Sequence, residues 1–157
     1  MKLSKLGLPP NSAARAFTSI KGVVTNSQGE VAIVEKTIKG KPVYSLIGGK
    51  GEKGDESIRD AFSRESEQEG GLIIESISED YALAVKGKVF AVVTARMSSI
   101  NPELISLSKK EVGTVLVVKF MPPSEALRLI NDSKKKKSRS RLRDEFILSD
   151  YMEGSVA

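Results

Sequence analysis

Two glutamates, Glu65 and Glu69, stand four residues apart near the end of a helical pattern that begins at about residue 56. At about 100° per residue, Ile58, Ala61, Phe62 and Leu72 share one side of that helix, and each glutamate lies about 20° from Ile58. The two carboxylates therefore sit on the apolar stripe, one turn apart, whereas Glu67 points to the opposite side. Like charges at this spacing repel, and burying them unpaired costs far more than the repulsion. A divalent cation with a preference for oxygen ligands, such as Mg²⁺, would offset both charges. The same spacing also fits a helix whose last turn rolls outward and leaves both acids in water.

The residues ahead of the helix bear on this choice. Gly48, Gly49, Gly51 and Gly54 place four glycines within seven residues, with Lys50 and Lys53 among them. A Gly-rich loop entering a helix lets backbone amides approach a phosphate, and the lysines add positive charge. Alone, such a loop reads equally as a flexible turn. Joined to a helix suited to a metal, it points to phosphate chemistry.

Composition narrows the remaining classes. The 157 residues contain no Cys, His or Trp. That excludes disulfide scaffolds, thiolate and imidazole metal sites, and Ser-His-Asp or Cys-His triads, so any acid–base or metal chemistry falls to carboxylates and lysines. Seven of the 25 basic residues lie in the segment 134–143, which opens at Lys134, closes at Arg143 and holds no acid; outside it stand 18 basic against 20 acidic residues. The basic character thus belongs to one segment, which reads as an RNA-binding tether, as a solvated linker or as the polar side of a terminal helix. It has no aromatic residue on which a base would stack. No apolar run is long enough to span a bilayer, and Gly7, Pro9 and Pro10 interrupt any secretory apolar core, so a soluble, cytoplasmic chain without a membrane partner is expected.

These residues need a scaffold, and the pattern predicts a mixed α+β domain. Strands are expected over 16–24, 31–36, 43–47, 72–77, 81–85, 89–96 and 112–120. Helices are expected over 56–69 (with Asp55 as N-cap), 124–131 and 141–152. One domain covers 1–133, and 134–157 extends it. Leu142, Phe146, Ile147, Tyr151 and Met152 fall near one helical stripe, which suits core packing and a dimer contact equally, so the oligomeric state stays open.

The stretch Gly48-Gly49-Lys50-Gly51-Glu52-Lys53-Gly54-Asp55-Glu56, seven further residues, and Arg64-Glu65-Ser66-Glu67-Gln68-Glu69-Gly70-Gly71-Leu72 resembles the box of the Nudix hydrolases. That box runs Gly, five variable residues, Glu, seven more, Arg-Glu, an aliphatic, one variable, Glu-Glu, one variable, Gly and an aliphatic. The hairpin ahead of the box and Phe120-Met121-Pro122-Pro123 after it extend the likeness over roughly 14–131. Three departures stand out: a one-residue insertion between Gly49 and Glu56, Ser66 at the aliphatic position, and Gln68 for the first acid of the Glu-Glu pair.

The resemblance implies a Nudix-like α/β/α sandwich with a mixed central sheet, and metal-dependent hydrolysis of a nucleoside-diphosphate-linked substrate with Mg²⁺ or Mn²⁺. It implies Glu65 and Glu69 as catalytic metal-binding carboxylates, the Gly48 carbonyl as a further metal ligand and Gln68 at a third side-chain position. Lys50 and Arg64 would serve the substrate, and Glu56 with Arg64 would form a structural ion pair. A later-loop glutamate, Glu111 or secondarily Glu103, would act as ligand or base. The loss of charge at Gln68 implies low activity, or a non-catalytic module that binds a nucleotide or RNA.

Overall fold

The computed structural model describes residues 3–9, 12–106 and 115–156. Seven strands form one sheet: β1 (Leu3–Leu6), β2 (Ser19–Thr25), β3 (Val31–Ile38), β4 (Lys41–Gly49), β5 (Leu72–Val85), β6 (Lys88–Ile100) and β7 (Val115–Met121). Helix α1 (Ile58–Gly70) follows β4, and α2 (Pro123–Ser133) and α3 (Arg139–Val156) follow β7. The spatial order is β1-β5-β6-β2-β4-β3-β7. Strands β2 and β6 pair in parallel and the other pairings are antiparallel, so the sheet is mixed.

Alternation along the central strands builds two cores. Ile20, Val24, Ala32, Val34 and Ile47 pack with Ile58, Ala61 and Phe62 of α1 on one face. Val23, Val31, Ile33 and Leu46 face the other way, toward Ala126 and Ile130 of α2 and Ile147 and Leu148 of α3. The molecule is thus a sheet between one helix and two, the α/β/α sandwich. The C-terminal stripe is core: Leu142, Phe146 and Tyr151 pack against this second cluster, and the Phe146 ring meets Tyr81 edge-on at 6.2 Å.

Three local readings are corrected. Residues 72–77 and 81–85 belong to a single strand, which runs through Ser78, Glu79 and Asp80 by register shifts, one of them between Glu79 and Tyr81; a bulge absorbs what looked like a break. The strand expected over 16–24 is β2 and begins at Ser19, after a short 3₁₀ turn at Ala14–Ala16. The N-cap of α1 is Ser57, whose side chain accepts from the Asp60 amide at 3.1 Å, while Asp55 is engaged elsewhere. At the other end of α1, Gly71 adopts φ 66° and ψ 25°. A Cβ there would lie 2.2 Å from the Asn101 carbonyl oxygen, so the helix stop and the close approach of the loop after β6 both require glycine. No helix among the described residues is long and apolar enough to cross a membrane.

Candidate active site

The site forms where β4 runs out beside β2 and the last turns of α1 lie across the gap. Gly48 and Gly49 are the final residues of β4, paired with Lys21 and Ile20. Gly48 has φ 146°, and a Cβ on it would meet the Ile20 carbonyl oxygen at 2.0 Å. A Cβ on Gly49 would lie 2.4 Å from the carboxyl carbon of Glu65. A side chain on Gly49 would thus take the place of the Glu65 carboxylate, and one on Gly48 would collide with β2.

Toward this end of β4 point the two carboxylates. Glu69, 8% exposed, accepts the Gly48 amide through Oε1 at 3.0 Å. Burial pushes its pKa up to about 7, opposed by Lys21 and the Gly48 hydrogen bond and reinforced by Glu65. Glu65 is part-buried, and burial raises its pKa while Arg64 opposes the rise. Both acids thus turn inward, as the apolar stripe predicts, and desolvation disfavours their charged forms, a cost that a cation would relieve.

Arg64 organises the loop. Its Nε and Nη2 donate to the two carboxylate oxygens of Asp55 at 3.2 and 3.0 Å, a bidentate pair. Nη2 also donates to the Lys50 carbonyl at 3.0 Å. Nη1 donates to Glu65 Oε1 at 2.9 Å and to Gln68 Oε1 at 3.2 Å. Through this one guanidinium, the loop and the acidic turn of α1 are held in register. The expected pairing of Arg64 with Glu56 is corrected: Asp55 takes that place, and the Glu56 amide instead donates to Asp60 Oδ2 at 3.2 Å. The inserted residue falls after the pairing acid, so five residues still separate Gly49 from it. Arg64 holds the Asp55 carboxyl below its ordinary range.

The oxygen donors available for a metal are the carboxylates of Glu65 and Glu69, the Gly48 carbonyl and the Gln68 amide oxygen. All are hard donors of the kind that suits Mg²⁺ or Mn²⁺. Ser66 sits buried on the same helix, and its hydroxyl is satisfied by donating to the Phe62 carbonyl at 2.8 Å. Glu103 is exposed in a 3₁₀ turn (Pro102–Leu104) that docks beside the end of α1, where the Ser106 amide donates to the Gln68 carbonyl at 3.0 Å. Glu111 lies outside the described residues.

Sequence reasoning passed over Lys21 and Asp144. Lys21 lies in β2 between buried apolar neighbours, and its Nζ reaches the Gly48 carbonyl at 3.5 Å. Loss of solvent and nearby Arg143 push its pKa down to about 8, against Glu69 and Asp144. A lysine inside an otherwise apolar strand was the available signal. Asp144, fully buried, binds Lys134 Nζ at 2.9 Å and Arg143 Nε at 2.7 Å, and also accepts the Leu46 amide at 3.3 Å. The reading of 134–143 as a tether or linker is therefore corrected at both of its ends: the side chains of Lys134 and Arg143 are 5% and 10% exposed. Lys135, Lys136 and Lys137 remain exposed.

Sheet order, the Gly-rich strand end and the Arg-clamped helix together define the Nudix type of α/β/α sandwich. A family model described as NUDIX domain matches residues 17–142, and the chain belongs to that family. Among solved structures it is similar to a Bacillus subtilis pyrophosphohydrolase, BsRppH, in a mutant form, at 16% identity, with 98% of this chain and 90% of that chain covered and a TM-score of 0.64. It is similar to a Nudix hydrolase from Nitrosomonas europaea at 17% identity, with coverage of 88% and 89% and a TM-score of 0.61. A MutT from a study of Aliivibrio salmonicida and Vibrio cholerae matches at 16% identity, with coverage of 85% and 98% and a TM-score of 0.57. No functionally curated protein matches the chain in sequence.

Proposed function

We propose that this protein is a metal-dependent pyrophosphohydrolase that cleaves a nucleoside-diphosphate-linked substrate, with Mg²⁺ or Mn²⁺ as cofactor and the cytoplasm as its compartment. The observation that carries the reading is the pair Glu65 and Glu69, turned inward against the side-chain-free end of β4. Glu65, Glu69 and the Gly48 carbonyl would hold the cation, with the Gln68 amide as an uncharged fourth donor. When bound, a divalent cation supplies neutralisation of phosphate oxygens and a more acidic attacking water.

The remaining work belongs to the chain. Arg64 fixes the rotamers of Glu65 and Gln68 and ties them to the loop through Asp55 and the Lys50 carbonyl. The Gly48 amide holds Glu69 in place. Lys50, at the loop edge, faces the phosphates. The displaced phosphate group leaves from a site whose negative charge is balanced by Lys21, Lys50 and Arg64.

A second reading has its own support. Gln68 leaves two carboxylates on the inner side of the turn, and among the described residues no group of three or more acids is placed to hold a metal ion. A nucleotide- or RNA-binding module without turnover would fit that arrangement. Glu65→Gln separates the two. Hydrolysis should fall by about a thousandfold if the carboxylate acts in the transition state, with released phosphate measured across nucleotide sugars, dinucleoside polyphosphates and nucleoside triphosphates. A wild-type chain that binds these compounds but releases no phosphate with either metal would favour the module.

A further inference from the structure

On the α3 side of the sheet, just past the point where β2 and β4 stop pairing, lies a cavity of about 420 Å³. Its walls come from four separate parts of the chain, with Thr18 and Ser19 supplied at the entry to β2. Lys50 arrives from the glycine loop, Phe90 from β6, and Ser138, Arg139, Ser140 and Arg143 from the start of α3. Among the described residues no carboxylate lines it.

The cationic walls are built rather than merely exposed. Arg143 lies over the Phe90 ring, with its guanidinium carbon 4.9 Å from the ring centroid, and its Nε is held by Asp144 at 2.7 Å. Arg139 donates to the Lys86 carbonyl at 3.0 Å, and Lys86 donates in turn to the Lys137 carbonyl. The β5–β6 turn thus grips the segment on which Arg139 stands.

Charge does not close here. Lys134 and Arg143 converge on the single carboxylate of Asp144, leaving one positive charge in a nearly dry floor. Lys50 and Arg139 add two more at the walls. Uncompensated positive charge in a partly desolvated pocket is unfavourable until an anion enters. Arginine forks with serine hydroxyls beside them match phosphate oxygens.

The position relative to the acids suggests what that anion is. Ile20 pairs with Gly49, whose Cα lies against the Glu65 carboxylate. The residues next to these, Ser19 and Lys50, line the cavity, and the Arg64 guanidinium that donates to Glu65 also donates to the Lys50 carbonyl. A phosphate chain that reaches from the carboxylates would pass round the end of β4, along Lys50, to enter it.

We propose that this cavity binds the terminal phosphates of the substrate. The group attached to the nucleoside diphosphate is then itself a phosphate or polyphosphate rather than a neutral sugar. This deepens the hydrolase reading and rests on it for the identity of the substrate, but anion binding by the cavity can be measured without turnover.

The test uses the full chain in chelator, without divalent metal, titrated calorimetrically with inorganic tripolyphosphate. Arg139→Gln and Lys50→Gln should each weaken binding about tenfold, and Lys136→Gln, in the exposed part of the basic run, should leave it unchanged. With metal, Arg139→Gln should lower kcat/KM for a nucleoside triphosphate about tenfold relative to that for a nucleoside diphosphate sugar. Wild-type affinity in both Arg139→Gln and Lys50→Gln would overturn the proposal. So would a 5′-hydroxyl RNA oligomer that displaces tripolyphosphate at equal phosphate concentration, since the segment would then be reading a nucleic-acid backbone. Metal-free binding that depends on Arg139 in a chain without turnover would sustain the cavity and defeat the catalytic reading. Turnover without any dependence on Arg139 or Lys50 would do the reverse.

Discussion

Gln68 occupies a position from which a carboxylate would face the same space as Glu65 and Glu69, and its amide oxygen instead accepts from Arg64 at 3.2 Å. An amide donates less electron density to a hard cation than a carboxylate does and leaves the site one negative charge short. Gln68→Glu is therefore expected to tighten Mg²⁺ binding by about tenfold, in line with the contribution of one added charged ligand, and to lower the metal concentration needed for half-maximal turnover. Calorimetric titration of both chains with Mg²⁺ measures this directly. Unchanged affinity would mean that residue 68 faces away from the ion. Asp55 gives a second lesson at this scale. Arg64 pairs with Asp55 rather than with the expected Glu56. The shorter acid is selected because the extra residue lies on the helix side of it, where Ser57 needs an extended backbone to cap α1.

Among the elements, α3 is held by more than its apolar stripe. Asp144 at its buried face bonds Lys134, Arg143 and the Leu46 amide of β4, so one carboxylate links the α2–α3 connection, the helix and the sheet. Removing one partner of a buried charge cluster leaves the others uncompensated, at a cost of about 3–5 kcal/mol. Asp144→Ala should lower the free energy of unfolding by that amount in urea denaturation. A loss of less than about 1 kcal/mol, the range of exposed ion pairs, would show that the cluster is solvated. The basic run was legible as a charge feature but not as a packed one. Its first and last cations turn inward because an acid follows it in the sequence at a spacing that only the helix brings beside both.

For the whole molecule, stability depends on pH through Glu69, and the proposed metal site would couple it to metal occupancy. Its pKa in the folded, metal-free chain is raised from 4.5 to about 7 by burial. Between those values the folded chain keeps a proton that the unfolded chain releases, so this group's contribution to stability falls as pH rises. The Tm of the metal-free wild type should accordingly fall, relative to that of Glu69→Gln, as pH goes from about 5 to about 8. Saturating Mg²⁺ should reverse the fall in the wild type alone, because binding to the folded form stabilises it. Scanning fluorimetry of the two chains decides this; parallel curves without metal would show a Glu69 that ionises normally.

What the sequence determined by itself is largely periodic or local. The period of α1 put Glu65 and Glu69 on its inner face, the glycines marked the strand end that admits them, and strand alternation specified two faces to be covered. The strands at 72–77 and 81–85 read as two because propensity is local, whereas a bulge is tolerated only when a partner strand runs alongside. The strand β1 went unread because it is short and mostly exposed and gains its order from pairing with β5. Lys21 lies more than a hundred residues from Lys134, Arg143 and Asp144, and the four meet only once the sheet and α3 are assembled. Their mutual burial, and the anion-seeking cavity beside them, depend on charge balance in three dimensions, a quantity that no run of neighbouring residues contains.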